Sequence, residues 1–138
     1  MSLDQVELAR RAFAAFSRRD MEAIKALCHP DAEFDWSRRL LDPTVFYGYA
    51  GLQKFFEEVD TIFDEIVFEE EEAVDLGDQV LIVSSGRFRG RSSGIDVTAR
   101  AAQVWTFRDG KVARFCFYQD KEDALADLAS EHEASSAG

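Results

Sequence analysis

Few side chains in this sequence have both the type and the setting for chemistry, and the one best placed by pattern is Gln103. It stands in residues 95–119, IDVTARAAQVWTFRDGKVARFCFYQ, where two runs rich in β-branched and aromatic residues meet at Arg108-Asp109-Gly110-Lys111. Asp-Gly between such runs predicts a β-hairpin. Strand side chains alternate between faces, so Gln103, Trp105 and Phe107 share one face and Val104 and Thr106 the other. On the second strand Phe115, Phe117 and Gln119 lie together, opposite Arg114, Cys116 and Tyr118. One face thus carries large rings around a polar amide, as a small-molecule pocket does and as an ordinary aromatic core does. A neutral amide can donate to a carbonyl or enolate oxygen as half of an oxyanion hole, although it cannot act as a base. Equally, it can be a buried amide satisfied by a backbone group or by Tyr47.

Other groups that could do chemistry are weaker. Glu69-Glu70-Glu71-Glu72 suggests a metal site, but alternation along a strand sends neighbours to opposite faces, and an oxygen-ligand site needs convergent carboxylates. The expectation is no metal and a solvated outer face, partly balanced by Arg87, Arg89 and Arg91. Cys28 and Cys116 show neither metal-ligand spacing nor a disulfide framework and read as reduced core residues. Tyr47 lies near a loop and could close a pocket mouth, and Arg38 and Arg39 could meet an acidic group on a ligand or simply be solvated.

The elements that must position these groups follow from periodicity. Ser2 and Gln5 have capping-box spacing, and Val6, Ala9, Phe13 and Phe16 recur at helical intervals up to about Ser17. Asp20 can cap a second, shorter helix that ends near His29, because Pro30 disfavours helical geometry in the residue before it. Residues 32–36 predict a short strand with Phe34 and Trp36 on one face and Glu33 and Asp35 on the other. An irregular loop over 37–45 returns as a brief strand at Phe46-Tyr47. From Ala50, the positions Leu52, Phe55, Phe56, Val59, Ile62 and Phe63 form a wide apolar stripe on a third helix. A four-strand meander follows, over about 66–74, 79–89 and the two strands of the hairpin. Asp120 can cap a last short helix, leaving 130–138 as a small, polar, disordered tail.

Composition bounds the function. The chain has 138 residues and is 46% hydrophobic, enough for one domain with a proper core. A net charge of −11 and a pI near 4.6 oppose binding to nucleic acid or an anionic membrane. No apolar run approaches a membrane span, and acidic Asp4 and Glu7 stand where a signal peptide would be basic, so a cytoplasmic protein is expected.

Three helices with one short strand among them, then a meander, resemble the nuclear transport factor 2-like superfamily. The resemblance rests on FSRRDMEAIKALCHPDAEFDW, FYGYAGLQKFF, VWTFRDGKVARF and YQDKEDAL, in that order, over about residues 4–128, and is strongest to its SnoaL-like polyketide cyclases. It implies an α+β cone, a curved antiparallel sheet wrapped round the N-terminal helices, as one domain over 1–129. It also implies a deep apolar pocket and homodimerisation through the outer face of the sheet, where Tyr118 would lie.

The superfamily's catalytic constellations are incomplete here. Where ketosteroid isomerases carry an Asp base, a Tyr and a protonated Asp, this chain has Trp36, Ala12 and Gln103. Asp35 is one residue away and would need a bulge to turn inward. The closing strand of the SnoaL-like cyclases often carries His and Asp, where this chain has Phe115, Cys116 and Phe117. The chain contains no Asn for the water-holding relay of limonene epoxide hydrolases. His29 and His132 lie outside the positions of the scytalone dehydratase pair. The resemblance therefore implies a small, mostly apolar, polyketide- or steroid-like ligand without a cofactor. Isomerase or cyclase chemistry would use Asp35 as base, with Gln103 and Tyr47 polarising an oxygen. Trp36, Trp105, Phe115, Phe117 and Phe34 would hold the ligand. The other readings are a non-catalytic ligand carrier or interaction module, and an acidic face that docks a basic protein.

Overall fold

In the computed structural model, residues 4–38 and 43–137 are described, with side chains through residue 130. The expected capping Ser2 lies outside the described residues. The first helix, α1 (Gln5–Ser17), is capped by Asp4, whose carboxylate accepts from the Val6 N–H. Asp20 caps α2 (Met21–Leu27) by accepting from the Ala23 N–H. The chain then enters β1 (Cys28–Asp35), a brief β2 (Val45–Tyr47) and α3 (Gly48–Ile62). Gly48 begins α3 at φ +69°, and a Cβ there would come within 2.9 Å of the Pro30 carbonyl oxygen.

The meander follows as β3 (Phe63–Asp75), β4 (Gln79–Gly90), β5 (Asp96–Arg108) and β6 (Lys111–Tyr118). Asp109 and Gly110 both have positive φ, 54° and 77°, as the tight hairpin turn requires. The sheet is larger than the meander, because β1 and β2 join it in the order β2-β1-β6-β5-β4-β3, with β1 parallel to β6. Asp120 accepts from the Asp123 N–H at the start of α4 (Lys121–Ala137), and the backbone is helical into the segment that the sequence reads as a tail.

The sheet's two faces make separate cores. On the inner face, Phe34, Val80, Ile82, Trp105, Phe107, Val112 and Phe115 pack against Ala9, Ala12, Phe13, Leu52, Phe55 and Phe56 of α1 and α3. On the outer face Leu81, Ala102, Val104, Cys116 and Tyr118 pack against Ala124 of α4. No helix among the described residues is long and apolar enough to cross a membrane.

Candidate ligand site

Between the inner face and the helices lies a hollow of about 500 Å³, within the range of small-molecule pockets. Its helical wall is Phe13, Phe16 and Ser17 of α1 with Phe55, Phe56, Glu58, Val59 and Ile62 of α3. The sheet supplies Phe63, Ile66 and Phe68 from β3, Gly86 and Phe88 from β4, Ala99, Ala101, Gln103 and Trp105 from β5, and Phe115 and Phe117 from β6. Trp36, just past β1, closes one side.

The rings pack on one another before any ligand is considered. Phe16 meets Trp36, Phe56 and Phe115 at centroid distances of 5.7, 5.2 and 5.3 Å, and Trp36 stacks on Phe55 at 3.8 Å with 12° between planes. Such pairs add to the stabilisation from burial itself.

Gln103 lines this hollow and is only 5% exposed. Its partner is neither a backbone group nor Tyr47 but Ser84 on β4. The amide Nε2 donates to Ser84 Oγ at 2.9 Å, and that hydroxyl lies 3.3 Å from the amide oxygen. The bond fixes the amide plane, and since an amide nitrogen carries two hydrogens, one remains for a ligand acceptor. Two more polar groups on wall residues, Trp105 Nε1 and Ser17 Oγ, are buried with no hydrogen-bond partner among the described residues.

Of the residues the sequence nominates, Gln103, Trp36, Trp105, Phe115 and Phe117 come together here. Phe34, though on the inner face, sits behind the wall, against Trp36 and Phe115 at 6.4 Å each. Asp35 is a correction. A bulge does occur in β1, but between Cys28 and Glu33; Glu33, Phe34 and Asp35 then pair regularly with Arg114, Phe115 and Cys116. Asp35 therefore stays on the outer face, where its carboxylate accepts from Arg114 Nη2 at 2.9 Å and from the Ser37 N–H at 2.8 Å. Burial pushes this carboxyl up, but the hydrogen bonds from Ser37 and the Arg114 charge outweigh it and hold the group below its ordinary value. A desolvated base needs the opposite shift.

Tyr47 is also corrected. It precedes α3, pairs with Glu33 in register and is 65% exposed, away from the hollow. Tyr118, expected at a subunit interface, is buried under α4 and donates its hydroxyl hydrogen to Asp127. Arg38 packs over the Tyr118 ring at 4.8 Å and pairs with Asp127 at 2.9 Å, on the outer face, while Arg39 lies outside the described residues. His29 Nε2 bonds the Arg108 carbonyl of the hairpin, at 2.6 Å.

Burial pushes the Cys28 thiol up to about 12 and raises that of Cys116, so neither is a ready nucleophile. The strand argument against a metal at Glu69–Glu72 needs amendment. A bulge between Glu70 and Glu72 lets Glu71 and Glu72 border the same surface depression, where each has its own cation, Arg100 at 2.9 Å and Lys121 at 2.8 Å. Among the described residues no group of three or more potential metal ligands converges.

The sequence reading misses Ser84, Glu58 and Arg19. Arg19 turns the chain between α1 and α2 at φ 55° and borders the hollow, with Asp60 of α3 at 3.2 Å from its guanidinium. The findable signal was in Ser84-Ser85-Gly86 and Ala99-Arg100-Ala101, where alternate inner-face positions are small.

A curved sheet folded round helices with a ring-lined hollow defines a nuclear transport factor 2-like cone. The SnoaL-like domain family model matches residues 9–115, and the chain belongs to that family. A structure of an NTF2-like protein of unknown function from Burkholderia pseudomallei is 19% identical, with a TM-score of 0.73, covering 90% of this chain and 97% of that one. TerC, co-crystallised with polyporic acid, is 26% identical with a TM-score of 0.71, covering 89% of this chain and 95% of TerC. A Catenulispora acidiphila protein with a ketosteroid isomerase-like fold, in complex with trimethylamine, is 15% identical with a TM-score of 0.70, covering 87% and 90%. No curated protein sequence matches the chain significantly.

Proposed function

We propose that the chain binds a small, largely apolar, polyketide- or steroid-like ligand bearing a carbonyl, enol or phenol oxygen. The observation that carries this is a hollow of about 500 Å³ whose aromatic wall holds one oriented, nearly buried amide, Gln103. Rings supply apolar contact area, and the amide's remaining N–H supplies direction. The likeness to TerC supports polyporic acid as a first probe.

The chain's two tryptophans, Trp36 and Trp105, both line the hollow, so intrinsic fluorescence reports its occupancy. Saturable quenching by polyporic acid is the expected result, and Gln103→Leu should weaken it about tenfold through loss of one hydrogen bond. Linear, non-saturating quenching by polyporic acid and by every carbonyl-bearing apolar compound tried would overturn the reading.

A second reading is isomerase- or cyclase-type proton transfer beside a ligand carbonyl. Glu58 favours it, as an acidic residue bordering the hollow that Asp35 does not reach. Solvent deuterium exchange into a bound ketone, abolished in Glu58→Gln with binding retained, is its test. Binding without exchange leaves the carrier reading. A homodimer would use the outer face that α4 leaves open, around exposed Val67, and Val67→Glu should then sediment as a monomer.

A further inference from the structure

The outermost edges of the sheet are defended against pairing with another chain. β2 is three residues long, and β3 carries Glu65, Glu69, Glu70, Glu71 and Glu72 along with breaks in its register. Shortness, charge and bulges are the usual protections of a free edge. Another bare edge lies inside the sheet. β5 pairs with β6 only from Ala102, opposite Tyr118 where β6 ends, so residues Asp96 to Ala101 overhang with no strand beside them on that side among the described residues.

The backbone groups of this overhang can be sorted by direction. The Gly90 N–H donates to the Ile95 carbonyl and the Phe107 N–H to that of Asp78, each at 3.0 Å, at the two ends of a β4–β5 ladder whose register runs without a shift. Successive residues of an antiparallel ladder aim their backbone groups to opposite sides, so odd-numbered residues of β5 face β4 and even-numbered ones face away from it. The N–H and C=O groups of Asp96, Thr98 and Arg100 therefore point out of the sheet edge. Residues Asp96 to Arg100 are all exposed, and no bulge or proline blunts them.

Their order suits a second copy of the same chain. A two-fold antiparallel pairing must match outward-pointing residues with one another, and centring it on Thr98 engages all three: Thr98 meets the partner's Thr98, and Asp96 meets the partner's Arg100 at both ends. Threonine pairs and opposite charges directly across a ladder are favourable. All of these side chains lie on the outer face, with Ala102 and Val104. The charges are free to be shared: the Arg100 side chain is 75% exposed and pairs with Glu71 at 2.9 Å, while Asp96 lies 3.7 Å from Arg87, both surface pairs of small worth. On the inner face the same register sets exposed Val97 beside the partner's Ala99, a residue of the hollow's lining.

We infer that the overhanging part of β5 is an interface between two copies of this chain, joined antiparallel across Thr98 into one continuous sheet, with each Val97 covering the side of the other copy's hollow. This contact is separate from one through the outer face around Val67, and it does not depend on which ligand the hollow takes.

Sedimentation velocity over a series of chain concentrations tests it. Wild-type protein should form a reversible dimer. Thr98→Pro deletes an N–H that β4 does not use, on an edge where proline is tolerated, so it should keep a cooperative thermal transition and weaken association about tenfold through two symmetric hydrogen bonds lost. Asp96→Arg should weaken association by facing Arg100 with a like charge, and combining it with Arg100→Asp should restore it. Since the native cysteines are buried, Thr98→Cys should cross-link to itself under mild oxidation in higher yield than Asp31→Cys, an exposed site elsewhere. A wild-type monomer at every concentration, unchanged association in folded Thr98→Pro, or Thr98→Cys cross-linking no better than Asp31→Cys overturns the inference. Association lost in Val67→Glu but intact in Thr98→Pro also overturns it and leaves the outer-face dimer standing.

Discussion

On its inner face β5 presents Ala101, Gln103 and Trp105 to a hollow; on its outer face the intervening Ala102 and Val104 lie under Leu81, Cys116, Tyr118 and α4. Charge is divided the same way. The outer face around β1 and β6 holds Glu33, Asp35 and Arg114 in one linked group, with Arg38, Asp127 and Tyr118 in another. The inner face keeps Glu58 and Arg19 at its border and a neutral amide inside. Polar groups on the outer face are thus consumed by one another, which makes that face a clasp for α4. On the inner face two buried groups, Trp105 Nε1 and Ser17 Oγ, are left without protein partners among the described residues.

The largest effect should come from the inner face. Phe115 is 2% exposed and touches Phe16, Trp36 and Trp105, so Phe115→Ala should lower stability by about 3–5 kcal/mol in urea titration, as large aromatic deletions in cores do. Arg114→Met should cost less, about 2 kcal/mol. It strands the buried Asp35 carboxylate, but Arg114 is itself a third exposed and the pair is partly screened by solvent. A smaller loss would mean that the outer-face clasp contributes little.

The pH dependence sharpens the same contrast. Asp35 is held below its ordinary value, so its contribution is fully present above the unfolded carboxylate pKa of about 4 and is lost as pH falls through the lower folded value. Stability measured between pH 5 and pH 2 should fall less steeply in Asp35→Asn than in wild type, by an amount on the order of 1 kcal/mol. The smallest effect expected is none: Asp35→Asn should leave polyporic acid binding unchanged, because the side chain faces away from the hollow. A loss of binding in this variant would return Asp35 to the site.

Much of this was legible in the sequence where a pattern was local. The hairpin at Asp109-Gly110, the helical caps at Asp20 and Asp120, and the alternation that puts Gln103 with Trp105 follow from neighbours a few residues apart. Alternation put Asp35 on the outer face, as found, and its nomination as base failed because it needed a bulge at Asp35, whereas the bulge fell upstream, before Glu33. Tyr47 was misplaced because a three-residue strand leaves too little alternation to set its facing. Ser84 went unread as the partner of Gln103 because, although its strand shows small residues at alternate positions, which of them meets Gln103 depends on the non-local register between β4 and β5.

The parallel pairing of β1 with β6 carries a consequence for how the molecule comes into being. Asp35 and Arg114 stand 79 positions apart along the chain. The first strand therefore waits, edge exposed, until the last is available, and contacts of such long range are slow to form. A nascent chain emerging from the ribosome would complete helices and hairpins early and close its ring-lined interior last.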